Sequence, residues 1–368
     1  MPCHRRRPFI MTHTQSNPET RQFCFDPEAL HMDLMLRAPR RLGFSDGVDL
    51  ERWSDELRAK LTELLRMPAH PGTSARPVML GEAQDCGDYL RQRLVFTAEP
   101  GADVPCTLLL PKGKEGPLPV MICLQGHTTG AHISLGEAKY EGDENSLGGD
   151  RDFALQAVRR GFAALAMEQR AFGERHDHRP EDHRRTGDLA RNDDNRTCKH
   201  PAMTALLLGR TLLGERVFDV IRACDAIEEI STLDAGRIYI MGQSGGGTVG
   251  WYASAVEPRL KASMLASFFG TVAGTIGAID HCTDNYLPDM LTWLDFPDIA
   301  GAMRGTKILV VMGRLDPLFP HASVLEASDH VARIFKAQGR EQDFALAVGE
   351  GGHRFYADLA WPKFLAMI

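Results

Sequence analysis

The stretch that decides the fold is Arg237-Ile-Tyr-Ile-Met-Gly-Gln-Ser244-Gly-Gly246. Its β-rich beginning predicts a strand, and residues 247–255 behind it predict a helix. Ser244 therefore lies on a tight, strained turn that needs small residues two places before and after it; Gly242 and Gly246 meet that need. The helix dipole and free N–H groups at this position favour a developing oxyanion. We predict that Ser244 is a nucleophile; a glycine-rich turn of another α/β protein is the plainer alternative.

Short apolar runs alternate with longer helical patterns along the chain. This alternation is typical of β-α-β units, in which helices cover both faces of a mostly parallel sheet. Ahead of these units, Tyr89–Thr97 and Val104–Leu110 predict an antiparallel hairpin at the sheet edge. The predicted fold class is therefore α/β. The predicted parallel strands are Leu118–Leu124, Phe162–Met167, Arg237–Met241, Ala262–Ala266, Ile308–Met312 and Phe344–Val348.

A serine hydroxyl is a poor nucleophile until a base accepts its proton, and that base needs an acid to orient it. In the α/β-hydrolase fold, which the strand order and the turn predict, the acid and then the base follow the serine along the chain. Asp316 follows the predicted strand 308–312, and His353 follows 344–348 in a glycine-rich loop. We therefore predict a catalytic triad of Ser244, Asp316 and His353.

Other residues compete for these roles. A turn or cap role is the alternative for Asp316, and a helix cap or surface position is the alternative for His353. His127 is a rival base, but it follows the first parallel strand, where the oxyanion loop of this fold belongs. Chain order and strand-end placement favour Asp316 and His353. Further rivals lie together in the segment 268–304: Asp280, His281 and Asp284.

Two backbone N–H donors are predicted to form an oxyanion hole. Gly245, directly after the nucleophile, supplies one of them. The loop after Leu118–Leu124 supplies the other from His127; a plain glycine-bearing turn is the alternative for this loop. Five polar residues near these elements are candidates for substrate binding: Gln125, Gln243, His281, Asp284 and Tyr286.

Five short motifs lie in order along the chain. They are Gln125-Gly126-His127, Glu168–Arg175, Leu206–Leu212, His281–Pro288 and Gly351–Phe355. In these motifs the chain, from Val78 onward, resembles bacterial α/β-hydrolases related to acetyl xylan esterases and dienelactone hydrolases. The resemblance implies a carboxylesterase, often a deacetylase of sugar esters.

The chain departs from that family at two positions of these motifs. Gln125 stands where the family usually has histidine, and Ala171 where it usually has glycine, so loop geometry and substrate preference are expected to differ. The nucleophile is serine rather than the cysteine of true dienelactone hydrolases, which favours ordinary ester hydrolysis. Arg170 and Arg210 are interpreted as structural ion-pair formers beneath the site.

The predicted organisation is an N-terminal extension, 1–76, and a catalytic domain, 77–368. The extension contains an amphipathic helix within Val48–Met67, and its basic first ten residues are left out of the fold. Two segments of the catalytic domain, 170–200 and 268–304, exceed ordinary connection lengths. Each is therefore a candidate lid or substrate wall.

Composition argues against several classes of partner. Lys and Arg number 42 and Asp and Glu 49, a net charge of −7, which predicts no binding of nucleic acid or an anionic membrane. No apolar stretch is long enough for a signal-peptide core or a membrane span. The eight cysteines are scattered without a Cys-x-x-Cys pair, which predicts reduced thiols and a cytoplasmic protein.

No metal and no cofactor are predicted. His176, His178 and His183 lie in a charged stretch without secondary-structure periodicity, which favours a solvated loop. Cys198-Lys199-His200 lacks partners at the spacing of a metal site. The triad chemistry itself requires neither kind of group.

Together the residues predict a serine hydrolase that cleaves carboxylic esters through an acyl-enzyme. The expected partner is a small ester such as an acetylated sugar, and a homo-oligomer is compatible with the sequence. One alternative is a serine peptidase of the prolyl-oligopeptidase kind, although residues 1–76 are too few for its usual propeller. The other is a catalytically silent hydrolase-fold binding protein, against which the intact triad argues.

Overall fold

A computed structural model describes residues 25–176 and 198–368 of the chain. Within them, nine strands are β1 Val78–Asp85, β2 Tyr89–Glu99, β3 Ala102–Pro111, β4 Leu118–Leu124, β5 Ala163–Met167, β6 Leu233–Gln243, β7 Leu260–Ala266, β8 Lys307–Gly313 and β9 Phe344–Gly349. They form one sheet in the order β1-β2-β3-β5-β4-β6-β7-β8-β9.

The same residues form ten α-helices and several 3-10 turns. The helices are α1 Pro27–Leu36, α2 Leu50–Leu65, α3 Asp143–Leu147, α4 Phe153–Val158, α5 Lys199–Leu207, α6 Leu212–Glu228, α7 Gly245–Val256, α8 Met290–Trp293, α9 His321–Ala337 and α10 Ala357–Met367. The 3-10 helices are Ala131–Leu135, Gly173–Arg175, Thr283–Asn285, Phe296–Ala302 and Glu341–Asp343. None of these described helices is both long and apolar enough to cross a lipid bilayer.

The sheet is antiparallel at one edge and parallel elsewhere. Strands β1, β2 and β3 pair antiparallel, and β3 joins β5 in the same sense. From β5 through β4 and β6 to β9, every neighbouring pair is parallel. Helices α2, α6, α7 and α9 bury one face, and α4 and α10 bury the other. Because both faces are covered, the central strands are almost continuously apolar, and the predicted α/β-hydrolase architecture is confirmed.

Strand β1 and helix α1 are among the elements in the described residues that were not predicted from the sequence. Strand β1 is exposed at every position, so it has no alternation of apolar and polar residues to reveal it. Helix α1 buries none of its residues. Both elements lie outside the core, where hydrophobic periodicity carries no signal.

The N-terminal amphipathic helix is present as α2 and belongs to the main core. Asp49 caps it by accepting a hydrogen bond from the backbone N–H of Arg52 at 3.2 Å. Its apolar stripe, including Trp53, Leu57 and Leu61, is buried in the same cluster as the helices of the sheet. Part of the predicted extension 1–76 therefore packs as an integral piece of the hydrolase core. The predicted leader, residues 1–10, lies outside the described residues.

The predicted lid 268–304 is only partly a covering segment. At its start, Phe268 and Phe269 are fully buried, and they pack with Phe296 around Trp251 of α7. The 3-10 helix Phe296–Ala302 is buried along its whole length and packs on α2. These ends are core, so only the middle of the segment remains available to contact a substrate. Of the other candidate lid, 170–200, positions 177–197 lie outside the described residues.

Candidate active site

Ser244 is the single residue between the end of β6 and the start of α7. Its φ of 55° and ψ of −123° are strained for a residue with a side chain. A Cβ at Gly242 would lie 2.5 Å from the carbonyl oxygen of Gly246, and a Cβ at Gly246 would lie 2.7 Å from that of Gln125. Both positions therefore need glycine, as the sequence predicted. The turn leaves Ser244 partly exposed, whereas the neighbouring residues of the turn are buried.

Asp316 and His353 come together because they follow adjacent parallel strands, β8 and β9. Backbone hydrogen bonds join the two loops, one of them from Leu315 N–H to the carbonyl of Gly351 at 2.9 Å. His353 Nδ1 then lies 2.8 Å from Asp316 Oδ2. The imidazole donates from Nδ1 to the carboxylate, which leaves the Nε2 lone pair available as a base.

The carboxylate of Asp316 is held ionised although it is buried. Its Oδ1 accepts hydrogen bonds from the backbone N–H groups of Leu318 at 2.9 Å and Phe319 at 3.3 Å. Burial acts to raise the pKa of Asp316, but the hydrogen bond and charge of His353 outweigh it, so the pKa lies below its usual value. An ionised acid at this position can stabilise the imidazolium that forms during proton transfer.

The loop after β4 lies directly against the turn that holds Ser244. A Cβ at Gly126 would be 2.8 Å from Ser244 Cβ and 2.6 Å from the carbonyl oxygen of Gln243. A Cβ at Gly245 would be 3.2 Å from Cε1 of the His127 ring. Gly126 therefore packs on Ser244, and the His127 ring packs on Gly245, which brings the loop after β4 to the place where an oxyanion hole would have to be.

Glu168, one residue beyond the end of β5, anchors the far side of this loop. Its carboxylate accepts hydrogen bonds from the backbone N–H of Ala131 at 3.1 and 3.2 Å and from that of Glu174 at 3.4 Å. The side chain is only 5% exposed. Burial raises the pKa of Glu168 to about 7, because the low-dielectric surroundings disfavour the charged form.

This raised pKa makes the stability of the fold depend on pH. The folded carboxyl binds its proton more tightly than the unfolded one, so the stability that Glu168 contributes is fully present below the usual pKa of 4.5 and is lost as the pH rises through about 7. The full effect is on the order of 3 kcal/mol. We expect Glu168→Gln to make the free energy of unfolding, measured in urea titrations between pH 4.5 and 7.5, depend less on pH. Glu326→Gln, on an exposed face of α9, should leave the dependence of the unfolding free energy on pH unchanged.

Arg170 and Arg210 form the ion-pair network that the sequence predicted. Arg170 donates to the fully buried Asp219 at 2.9 Å and to Glu99 at 2.9 Å. Arg210 reaches the same Glu99 at 3.0 Å, and Arg175 reaches Asp219 at 2.6 Å. The network ties the loop after β5 to β2 and α6, because its members come from all three places.

The five predicted substrate-binding residues fall into two groups. Gln125, Gln243 and Asp284 are buried. Gln125 Nε2 donates to Ser134 Oγ and to the carbonyl of Arg151, both at 2.7 Å, so its side chain holds the oxyanion loop instead of facing a substrate. The carboxylate of Asp284 contacts the guanidinium of Arg216 and the imidazole of His127. Gln243 is also buried, and neither polar atom of its amide has a hydrogen-bond partner among the described residues. A substrate-binding role for these three residues stays a prediction.

His281 and Tyr286, the other two, line one cavity of about 450 Å³ with an apolar wall from α5 and α6. His281 Nδ1 accepts a hydrogen bond from Asn285 at 3.0 Å, so its Nε2 carries the proton. Among the described residues this Nε2 and the nearby Thr283 Oγ1 are buried without a hydrogen-bond partner. The cavity thus offers polar groups that a bound molecule could satisfy.

Two contributors to the site were not found from the sequence. Phe319 stacks on the His353 ring at 6.1 Å and packs against the His281 ring at 5.2 Å, so a single aromatic ring separates His353 from one residue of the cavity wall. Arg151 donates to the carbonyl of His353 at 3.2 Å while its own carbonyl accepts from Gln125. Neither residue lies in a recognisable motif, so only the fold reveals them.

The sheet, the strained serine turn and the paired acid and imidazole loops define the α/β-hydrolase class. The sequence profile of the Abhydrolase family matches residues 41–258, more than half of the chain. The chain belongs to the Abhydrolase family.

Known proteins agree with this assignment. The chain is 21% identical over 252 residues to a Bacillus subtilis (strain 168) protein provisionally named hydrolase YtaP, covering 68% of this chain and 77% of YtaP. A Bacteroides fragilis NCTC 9343 structure, provisionally named acetyl xylan esterase, matches with TM-score 0.67 and 17% identity over 94% of this chain and 86% of that one. A glucuronoyl esterase structure from Solibacter usitatus matches with TM-score 0.62 and 13% identity, over 90% of this chain and 96% of that one. At these identities the structural matches establish a shared fold.

Proposed function

We propose that this protein is a serine carboxylesterase with Ser244 as nucleophile, His353 as general base and Asp316 as orienting acid. The observation that carries the proposal is the 2.8 Å contact between His353 Nδ1 and the buried Asp316, which prepares Nε2 to accept a proton. The strained, partly exposed Ser244 supports the same assignment. Similarity in fold to proteins named as esterases agrees with it.

The proposed reaction has two steps. His353 Nε2 takes the Ser244 hydroxyl proton as Oγ attacks the ester carbonyl, and the backbone N–H groups of Gly245 and His127 stabilise the oxyanion. The intermediate collapses, and the imidazolium gives its proton to the departing alcohol. Water, deprotonated by His353, then attacks the acyl-serine and releases the acid. The protein needs no cofactor for these steps.

The proposed substrates are small esters, acetylated sugars among them. Support comes from the cavity that His281 lines, because its apolar wall and the unpaired donor of His281 suit a molecule with ring carbons and hydroxyls. The similar structures named for acetyl xylan and glucuronoyl esters point in the same direction. We place the protein in the cytoplasm, since all six cysteines in the described residues are free thiols.

The direct test offers the purified protein three substrates: 4-nitrophenyl acetate, acetylated xylo-oligosaccharides and an aminoacyl-anilide. We expect turnover of the esters, and covalent labelling by a fluorophosphonate that tandem mass spectrometry locates on Ser244. Preference for the anilide would indicate a peptidase and contradict the proposal. Failure to turn over or to label would indicate a silent scaffold.

The role of the cavity can be tested separately through His281. Its Nε2–H donor is expected to bind a sugar hydroxyl, and a hydrogen bond of this kind is worth about 0.5 to 1.5 kcal/mol, or roughly a 2- to 10-fold change in binding. We expect His281→Phe to raise KM for acetylated sugars by that factor while leaving KM for 4-nitrophenyl acetate nearly unchanged. An equal change for both substrates would contradict a role in sugar binding.

A further inference from the structure

Four side chains converge beside the oxyanion loop without being used in the proposed reaction. They are His127 after β4, Cys198 before α5, and Cys282 and Asp284 in the segment 281–288. Their nitrogen, sulfur and oxygen atoms all lie within 4.8 Å of one another. Cys198 and Asp284 are buried, and His127 and Cys282 are partly buried.

The spacing of these atoms fits a single ion at their centre. Around tetrahedral Zn²⁺ the ligand atoms stand about 3.3 to 3.8 Å apart, since Zn–N and Zn–O bonds are about 2.0 to 2.2 Å and Zn–S bonds about 2.3 Å. His127 Nε2 lies 3.3 Å from Asp284 Oδ2 and 3.4 Å from Cys198 Sγ. Two of the distances therefore already match those of a zinc site, and the remaining ligand atoms, all within 4.8 Å of one another, need only small side-chain movements to close on an ion.

Hydrogen bonding alone explains the arrangement less well. A single N–H on His127 Nε2 can point at one acceptor, yet Asp284 Oδ2 at 3.3 Å and Cys198 Sγ at 3.4 Å both contact that nitrogen. A cation satisfies all four lone pairs at once. Two thiolates, one imidazole and one carboxylate are moreover ligands that Zn²⁺ accepts, and four protein ligands are typical of a closed, structural zinc site.

Groups outside the cluster orient its ligands. Arg216, itself buried, donates to Asp284 Oδ2 and, at 3.1 Å, to Cys198 Sγ. Asn285 donates to the other oxygen of Asp284 at 3.3 Å. Such partners fix the ligands of metal sites, and the positive charge of Arg216 balances two thiolates and a carboxylate around a divalent ion.

We propose that His127, Cys198, Cys282 and Asp284 bind one structural Zn²⁺. The ion fastens the oxyanion loop, the start of α5 and the segment 281–288 to one another. Because the side chain of His127 is a ligand and the preceding Gly126 packs against Ser244, the metal holds the loop after β4 in place. The sequence analysis predicted no metal. It could not reveal this site, because the four ligands are widely separated along the chain. It is independent of the proposed esterase function.

The metal content of the purified protein tests the proposal without any assay of turnover. Inductively coupled plasma mass spectrometry is expected to find about one zinc per chain after purification with zinc in the growth medium. Cys198→Ser, Cys282→Ser and Asp284→Asn should each lower zinc occupancy at least several-fold in chelator-washed protein. Cys86→Ser, whose thiol lies in the loop between β1 and β2, should keep full occupancy, and so should Ser244→Ala.

A spectroscopic readout covers the case in which a ligand variant fails to fold. Wild-type protein loaded with Co²⁺ in place of Zn²⁺ should show a thiolate-to-cobalt charge-transfer band and the intense visible bands of a tetrahedral ion. A chelator should lower the Tm of wild-type protein. It should lower the Tm of Cys86→Ser by the same amount, because that variant keeps all four ligands. Zinc-free wild-type protein that gives no cobalt spectrum, or a Cys198–Cys282 disulfide found by mass spectrometry, would overturn the proposal.

Discussion

Ser244→Ala is expected to lower kcat for ester hydrolysis by about a million-fold, or roughly 8 kcal/mol of transition-state stabilisation. The loss is large because alanine removes the atom that forms the acyl-enzyme, and the remaining residues then have no nucleophile to activate. The fold should survive, since the backbone hydrogen bond from residue 244 to the carbonyl of Ala266, 2.8 Å long, needs no side chain. Stopped-flow and steady-state rates on 4-nitrophenyl acetate measure the effect.

Ser254→Ala is the matched control for that variant. Ser254 is buried on the same helix, α7, and its hydroxyl contacts Ser263 at 2.5 Å, away from the site. We expect this change to cost some stability and to leave kcat within a few-fold of wild type. Comparable activity losses at the two serines would mean that damage to α7, and not removal of a nucleophile, explains the first result.

Asp316→Asn is expected to lower kcat by about four orders of magnitude with little change in KM. The asparagine carbonyl can still accept the N–H groups of Leu318 and Phe319, so the loop keeps its shape. Its amide then donates to His353 Nδ1, which forces the ring proton onto Nε2 and removes the base. Full pH–rate profiles on the same ester measure both the loss and its dependence on pH.

Asp280, which the sequence analysis considered as an alternative acid, provides the control for Asp316→Asn. Asp280 is exposed, whereas Asp316 is buried against the imidazole. Asp280→Asn is expected to change kcat far less than Asp316→Asn. An equal or larger loss at Asp280 would show that Asp316 is not the orienting acid.

Most of the core could be predicted from the sequence because buried parallel strands leave continuous apolar runs. All six predicted parallel strands are present, and their bounds differ by a few residues at most. The nucleophile turn was also predictable, since steric crowding at Gly242 and Gly246 dictates residue type locally. The same fold predicted that Asp316 and His353 would follow neighbouring strands, and the structure brings these two side chains together at 2.8 Å.

The surroundings of the site were less predictable because they depend on contacts between distant residues. The sequence identified Gln125 and Asp284 as polar and well placed, but only packing shows that Gln125 braces a loop and that Asp284 faces Arg216. The Cys198, Cys282, His127 and Asp284 cluster has no regular spacing, so no sequence motif indicates it. Local patterns thus predict elements, whereas side-chain partners in loops require the folded chain.

Helix α2 also has a consequence for how the polypeptide is made. Its apolar stripe rests on the 3-10 helix Phe296–Ala302, which follows Leu57 by about 240 residues. At a translation rate of about 5 to 20 residues per second, roughly 10 to 50 s pass before that surface leaves the ribosome. During this interval the apolar stripe of α2 lacks this part of its packing surface, although α6 and α7, which it also contacts, are made earlier. The nascent chain is therefore a natural client for chaperones that shield apolar helices until synthesis is nearly complete.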